Sequence, residues 1–158
     1  MGSKLSTISD SLSRRKFITA TTALAVFGIP STAVRADQKL VDEAISMVVG
    51  GVKPGAGDMI KLELPQIAEN GNTVPIKVFV DSPMTADDYV KAVHIFAEKN
   101  PSAEVISFHF TPASGKASAS TRMRLAKTQN VVALVQMSNG SAYTAQKQVK
   151  VTIGGCGG

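Results

Sequence analysis

Val131-Val132-Ala133-Leu134-Val135-Gln136-Met137, followed by Ser138-Asn139-Gly140-Ser141 and then by Tyr143-Thr144-Ala145-Gln146-Lys147-Gln148-Val149-Lys150-Val151-Thr152-Ile153, decides the fold of this chain. The second run alternates. Val149, Val151 and Ile153 share one face and Gln148, Lys150 and Thr152 the other, the period-two signature of a half-buried strand. Asn139-Gly140 between the runs suits a two-residue hairpin turn, so the two segments are expected to pair as antiparallel neighbours. The first run is apolar on both faces, and a two-layer sandwich covers only one. A second cover is therefore required, either an amino-terminal helix or a partner subunit.

The same period runs back through the chain. Ile60, Leu62 and Leu64 alternate with Lys61 and Glu63, and Val74, Ile76, Val78 and Val80 alternate around Lys77. Further short runs lie at 90–97, 104–110 and 118–126. Turn signals separate them: Glu69-Asn70-Gly71-Asn72, Asp81-Ser82-Pro83, Asn100-Pro101 and Pro112-Ala113-Ser114-Gly115. About seven short strands punctuated this way predict an all-β, immunoglobulin-like antiparallel β-sandwich. Before them, Val41, Ala44, Ile45 and Val48 recur at helical spacing and Gly50-Gly51 closes the pattern, which predicts one short helix over 37–49.

The amino terminus reads differently. Ser13-Arg14-Arg15-Lys16-Phe17-Ile18 is a twin-arginine export motif, with Arg14 and Arg15 its defining pair. The mildly apolar run after it, Thr19 to Ile29, is too short for a bilayer span of about 20 residues. Pro30 breaks that run, and Val34-Arg35-Ala36 offers a cleavage site. The expected organisation is a removable signal peptide over 1–36, a sandwich domain over 37–153 and an arm over 154–158. Periplasmic delivery of a folded domain follows from the motif.

The leader also distorts the composition. The 158-residue chain has a formal charge of +5. Lys4, Arg14, Arg15, Lys16 and Arg35 against Asp10 place most of that excess in the leader. What remains is nearly balanced, so neither nucleic acid nor a membrane surface is an expected partner. By length the rest is a single domain able to bury its own core. One cysteine excludes an internal disulfide, and packing alone must hold the fold.

That cysteine is the chemical feature of the chain. Gly154-Gly155-Cys156-Gly157-Gly158 follows Ile153 directly. Glycine resists a fixed conformation, and three extended residues carry the thiol roughly 10 Å beyond Ile153. The expectation is a thin, flexible arm in which Gly154, Gly155, Gly157 and Gly158 supply freedom and Cys156 supplies chemistry. Its sequence neighbours include no Lys, Arg or His to favour the thiolate, and the Gly158 carboxylate opposes it. Alone, Cys156 is expected to be a sluggish nucleophile, activated by whatever pocket the arm enters. A small buried hydrophobe is disfavoured by the flanking glycines. A Cys156–Cys156 disulfide dimer is an expected side reaction, and prenylation fails on spacing.

Other chemistry is sparse. His94 and His109 sit inside strand patterns without metal-ligand spacing, which favours structural or surface roles. Asp87-Asp88 reads as a solvated turn. Arg122 and Arg124 read as a solvated edge face, with anion steering the alternative. No Gly-x-Ser-x-Gly, P-loop or dinucleotide fingerprint occurs, and neither a metal nor a resident cofactor is expected. The sequence shows no self-contained active site.

The segments Leu62-Glu63-Leu64-Pro65-Gln66-Ile67-Ala68-Glu69-Asn70-Gly71, Val80-Asp81-Ser82-Pro83-Met84-Thr85, Thr121-Arg122-Met123-Arg124-Leu125-Ala126 and Gln136-Met137-Ser138-Asn139-Gly140-Ser141 resemble SoxY, the thiosulfate-carrier family of the periplasmic sulfur-oxidation system. Val151-Thr152-Ile153-Gly154-Gly155-Cys156-Gly157-Gly158 is similar to that family's terminal motif throughout. The resemblance implies an immunoglobulin-like subunit paired with SoxZ. It also implies that Cys156 receives thiosulfate at the cytochrome SoxXA as a cysteine S-thiosulfonate, that SoxB releases sulfate, and that SoxCD, where present, oxidises the remaining persulfide sulfur. The alternatives are a sulfur donor using the Gly157-Gly158 carboxylate as a thiocarboxylate, against which the export motif argues, and a periplasmic structural or interaction module with an incidental thiol.

A tether that enters several enzyme pockets has to be narrow. Valine in place of Gly155 is therefore expected to leave folding intact and to slow loading or hydrolysis, measured as turnover with the purified partner enzymes.

Overall fold

Alternation along the chain is converted directly into two facing sheets. The computed structural model describes residues 32–153; the export motif at Arg14 and Arg15 and the terminal residues Gly154, Gly155, Cys156, Gly157 and Gly158 lie outside the described residues. A helix, α1 (Thr32–Val48), is followed by β1 (Gly55–Ala56), β2 (Ile60–Glu63), β3 (Ile67–Asn70), β4 (Val74–Val80), β5 (Val90–Ala97), β6 (Glu104–His109), β7 (Ala117–Met123), β8 (Gln129–Met137) and β9 (Ala142–Ile153). The larger sheet has the order β1-β9-β8-β5-β6, with β3 also on β9, and the smaller the order β2-β4-β7. The seven expected strands are β2 and β4 to β9.

Strands β4, β5 and β8 bury the face their pattern marks. On β9, expected to turn Val149, Val151 and Ile153 inward, only Val149 is fully buried and Ile153 is 67% exposed, because the strand runs on beyond its partner β8. Val74, Ile76, Val78 and Val80 of β4 meet Val93 and Ile95 of β5, Val131, Ala133 and Val135 of β8 and Val149 of β9 in one core between the sheets. Apolar burial of this kind contributes about 25 cal/mol per Å² of surface removed from water.

The doubly apolar strand β8 receives its second cover from the helix. Val132 and Leu134 point away from the sandwich core and pack with Phe96 of β5 and Ala142 of β9 against Val41 and Ile45 of α1. A side chain of the sheet completes the helix end: Gln136 Nε2 donates to the Val48 carbonyl at 3.0 Å, one of the carbonyls a helix terminus leaves without an internal partner. Gly50 and Gly51 then leave the helix with φ of 61° and 86°, in the left-handed region open to glycine. The helix begins at Thr32, five residues before the expected start at residue 37. Among the described residues no helix is long and apolar enough to cross a membrane.

Three local expectations are corrected. The last hairpin has a three-residue loop, not a two-residue one. Met137 N–H donates to the Ser141 carbonyl at 2.9 Å and Gly140 N–H to the Met137 carbonyl at 3.1 Å, with Gly140 at φ 85°. Asn139 Oδ1 accepts from the Ser141 N–H, which holds this wider loop. Glu69 and Asn70, expected in a turn, are strand residues, because β3 finds a partner in β9. That pairing and the one between β1 and β9 are parallel, so the sandwich is antiparallel except along one margin. Both strands are too short to show a period. Finally, β7 stops at Met123 rather than at residue 126. The Leu125 and Ala126 N–H groups donate to the Gly71 carbonyl and to Asn100 Oδ1 instead of to a strand.

Phe96 is fully buried between sheet and helix. Phe96→Ala is expected to destabilise the domain by about 3–5 kcal/mol, read as a lower midpoint in urea unfolding.

Candidate functional site

Strand β9 outruns its antiparallel partner. β8 accompanies it from Ala142 to Val149, where the last pair is Gln129 with Val149. Lys150 to Ile153 would be a frayed end, yet other segments hold them. On one side, β3 runs parallel, with Ile67 opposite Lys150, Ala68 opposite Val151 and Asn70 opposite Ile153. Lys150 N–H donates to the Gln66 carbonyl at 2.9 Å, and Gly71 N–H donates to the Ile153 carbonyl at 2.8 Å. Thr152 Oγ1 donates to the Glu69 carbonyl at 2.8 Å. On the other side, Thr128 Oγ1 accepts from the Val151 N–H at 3.0 Å and donates to the Val151 carbonyl at 3.3 Å. This one side chain stands in for the β8 residues that are no longer there.

Gly71 links the two halves of the grip. Its N–H holds Ile153 and its carbonyl accepts from Leu125 N–H at 2.8 Å, and Leu125 is fully buried. The root of the terminal segment is thereby tied to the core up to its last described residue. Ile153 itself is 67% exposed, so the chain leaves the sandwich at the surface. Cys156 follows three residues later, within about 10 Å of chain.

The other candidates lie elsewhere. His94 is on the outer face of β5, where its Nδ1 sits 2.8 Å from Glu104 Oε1, and His109 meets it edge to face at 6.1 Å between ring centroids. Among the described residues no group of three or more His, Cys, Asp or Glu side chains is placed to hold a metal ion. Asp88 lies in a solvated turn closed on Thr85, whose Oγ1 accepts the Asp88 N–H at 3.1 Å. Arg122 stands opposite Pro75 on β7, and Arg124 is exposed in the segment that leaves that strand. A groove of about 440 Å³ runs beneath α1, lined by Asp42, Ile45, Val52, Lys53 and Thr144. Thr144 is at the opposite end of β9 from Ile153.

Sequence reasoning located the root strand but missed what grips it. Neither Thr128 nor Gly71 carries a pattern of its own. The available hint was a small residue following Glu69-Asn70 in a chain otherwise rich in valine.

The described fold is a β-sandwich whose last strand is held by its neighbours up to Ile153, three residues before the cysteine in the sequence. The model of the family "Sulfur oxidation protein SoxY" matches residues 45–156, a span that ends on Cys156. The chain belongs to the SoxY family. It is similar to the structure of the sulfur carrier protein SoxY from Chlorobium limicola f thiosulfatophilum, at 37% identity and a TM-score of 0.63, covering 73% of this chain and 99% of that one. It also resembles the superoxide reductase (neelaredoxin) E23A variant from Ignicoccus hospitalis, at 20% identity and a TM-score of 0.54, covering 69% of this chain and 86% of that one. The second likeness shows the fold alone. No match is found among curated proteins.

Thr128→Val keeps the shape and removes both bonds to Val151. The Val151 amide is expected to exchange with deuterium several-fold faster, while the Val149 amide, paired with β8, keeps its protection.

Proposed function

We propose that this chain is a periplasmic carrier of sulfur in thiosulfate oxidation, with the cargo bound covalently to Cys156. The observation that carries the proposal is the grip on Ile153: a root held on both sides, three residues from the only cysteine. Membership of the SoxY family supports it. The twin-arginine motif at Arg14 and Arg15 supports the compartment.

The chemistry balances with the thiol as attachment point and partner proteins as reactants. The Cys156 thiolate joins the outer sulfur of thiosulfate, one S–S bond forms, and two electrons pass to an acceptor, the role given to SoxXA. Water then cleaves the terminal S–S bond, in the role given to SoxB. Sulfate and two protons leave, and a persulfide anion stays on Cys156. SoxCD, where present, would oxidise that sulfur further. The carrier contributes no acid, base or metal to these steps. Its part is to bring one sulfur to several pockets, and Gly154, Gly155, Gly157 and Gly158 keep the approach narrow. Ordering the terminal residues costs about 1–2 kcal/mol each in backbone entropy, which weakens each encounter and favours release. Covalent attachment raises local substrate concentration without a binding pocket on the carrier.

SoxZ is the expected stable partner and a Cys156 disulfide dimer a side product. Helix α1 already covers the outer face of β8, so the apolar strand is no argument for a subunit there.

Intact mass and peptide mapping of the protein from thiosulfate-grown cells test the proposal. Sulfur adducts are expected on the peptide containing Cys156 and absent from Cys156→Ser. Sulfur on the terminal carboxylate instead would favour the thiocarboxylate donor.

A further inference from the structure

Most open edges of this sandwich carry a device that stops another strand from adding to them. β1 has only two residues. β2 has four and presents Lys61 and Glu63, and β3 has four and presents Glu69. β6 begins with Glu104, and its register with β5 shifts between Ile95 and Phe96. β7 has none of these devices. It is seven residues long, Ala117-Ser118-Ala119-Ser120-Thr121-Arg122-Met123, without Pro, Lys, Asp or Glu. Its ladder with β4 is unbroken from Val80 opposite Ala117 to Val74 opposite Met123. It ends the smaller sheet, and among the described residues β4 is its one strand partner. Every second residue of β7 therefore turns its N–H and C=O away from the sheet, a template for a further strand.

The two faces of this edge differ. On the inner face Ala119 and Thr121 are half-buried. β6 runs along the same margin, with Ile106, Phe108 and the following Phe110 half-buried against the core. An apolar side chain entering there completes the seam between the sheets. On the outer face Ser118, Ser120 and Arg122 are exposed, and the exposed Lys116 and Arg124 flank the strand at the same spacing. A groove of about 540 Å³ lies at this edge, lined by Pro75, Ser120, Thr121 and Arg122.

Charge on the outer face is matched except at one end. Lys77 pairs with Glu63 at 3.7 Å, and Lys61 lies over the Phe79 ring at 5.6 Å. Val80 pairs with Ala117, which brings Asp81 alongside Lys116. Arg122 stands opposite Pro75, and among the described residues neither it nor Arg124 forms an ion pair. The acids of neighbouring elements are engaged or distant. Glu104 is bonded to His94 on the outer face of the other sheet, the sheet to which Lys91 and His109 also belong. Glu98 accepts from Asn130, and Glu69 is on β3, at the margin opposite β6. Asp87 and Asp88 lie in the turn closed on Thr85.

We propose that β7 is a docking edge for an extended segment of another protein, one that alternates acidic and apolar residues. Its acidic side chains lie along the outer row and meet Arg122 and Arg124. Its apolar ones enter the seam beside Ala119 and Thr121. Main-chain bonds supply the affinity, and the alternation fixes which face turns inward. A second copy of this chain fits this edge less well. In the antiparallel register that overlaps the whole strand, Ser120 meets its own equivalent, Arg122 meets Ser118, and Arg124 meets Lys116. No acid then stands opposite Arg122, and two like charges are opposed. β7 has no strand pairing with β9, so docking here is separate from the carrier reading.

The test is hydrogen exchange of the full chain with the peptide acetyl-Glu-Val-Glu-Val-Glu-Val-Glu-amide, which matches the length of β7, at up to about 1 mM. The amides of 117–123 that point away from β4 are expected to exchange about tenfold more slowly at saturation, with those of β2 and β6 unchanged. The same peptide with Lys in place of Glu is expected to bind about fivefold more weakly, a comparison that needs no variant. Arg122→Glu, at an exposed position, is expected to reverse that preference. Lys53→Glu, away from this edge, is expected to leave both affinities within about twofold. Protection at another strand, no protection at the highest peptide concentration, or equal binding of the two peptides overturns the proposal. Protection of the same amides that rises with protein concentration alone also overturns it, and makes a second copy the occupant.

Discussion

The hydrogen bond from Gly71 to the carbonyl of Ile153 is the constraint on which the arrangement depends. Without it, Ile153 would lose the backbone bond that holds its carbonyl, while Lys150, Val151 and Thr152 keep theirs. With it, β9 stays bonded to the rest of the fold up to its last residue, Ile153. Gly71 can serve because its carbonyl is engaged with Leu125, deep in the core. The grip on a surface strand is thereby referred to the best-packed part of the molecule, where interiors have crystal-like density and little freedom to shift.

The same economy is visible in β8 and α1. A strand apolar on both faces inserts into the middle of the larger sheet, and the helix seals its outer face through Val41 and Ile45. Gln136, the one polar residue within the apolar run, is used at the seam, where it reaches the Val48 carbonyl. The helix is therefore a structural layer of the domain, held by packing and by a polar contact at its end.

Much of this was legible in the sequence because burial imposes a period. Val74 to Val80 and Val131 to Met137 declared their strands and faces, Val149 to Ile153 declared a strand but not the exposure of its end, and Val41, Ala44, Ile45 and Val48 declared the helix. The two parallel strands were not legible. Gly55-Ala56 and Ile67 to Asn70 are too short for alternation, and their pairing depends on where β9 ends. The terminal cysteine was read from position and composition, whereas Gly71 and Thr128, which hold the root, were not, since each meets β9 only after folding. A period reports on a single segment; a cluster assembled from several loops leaves no trace in any one of them.

The pairing geometry of β9 has a mechanical side. Its ladder bonds to β8 on one flank and to β1 and β3 on the other lie across the strand direction. A pull applied at Ile153 along the strand therefore loads many bonds together, in shear, and does not peel them one after another. Force along β9 is thereby shared among its neighbours β1, β3 and β8.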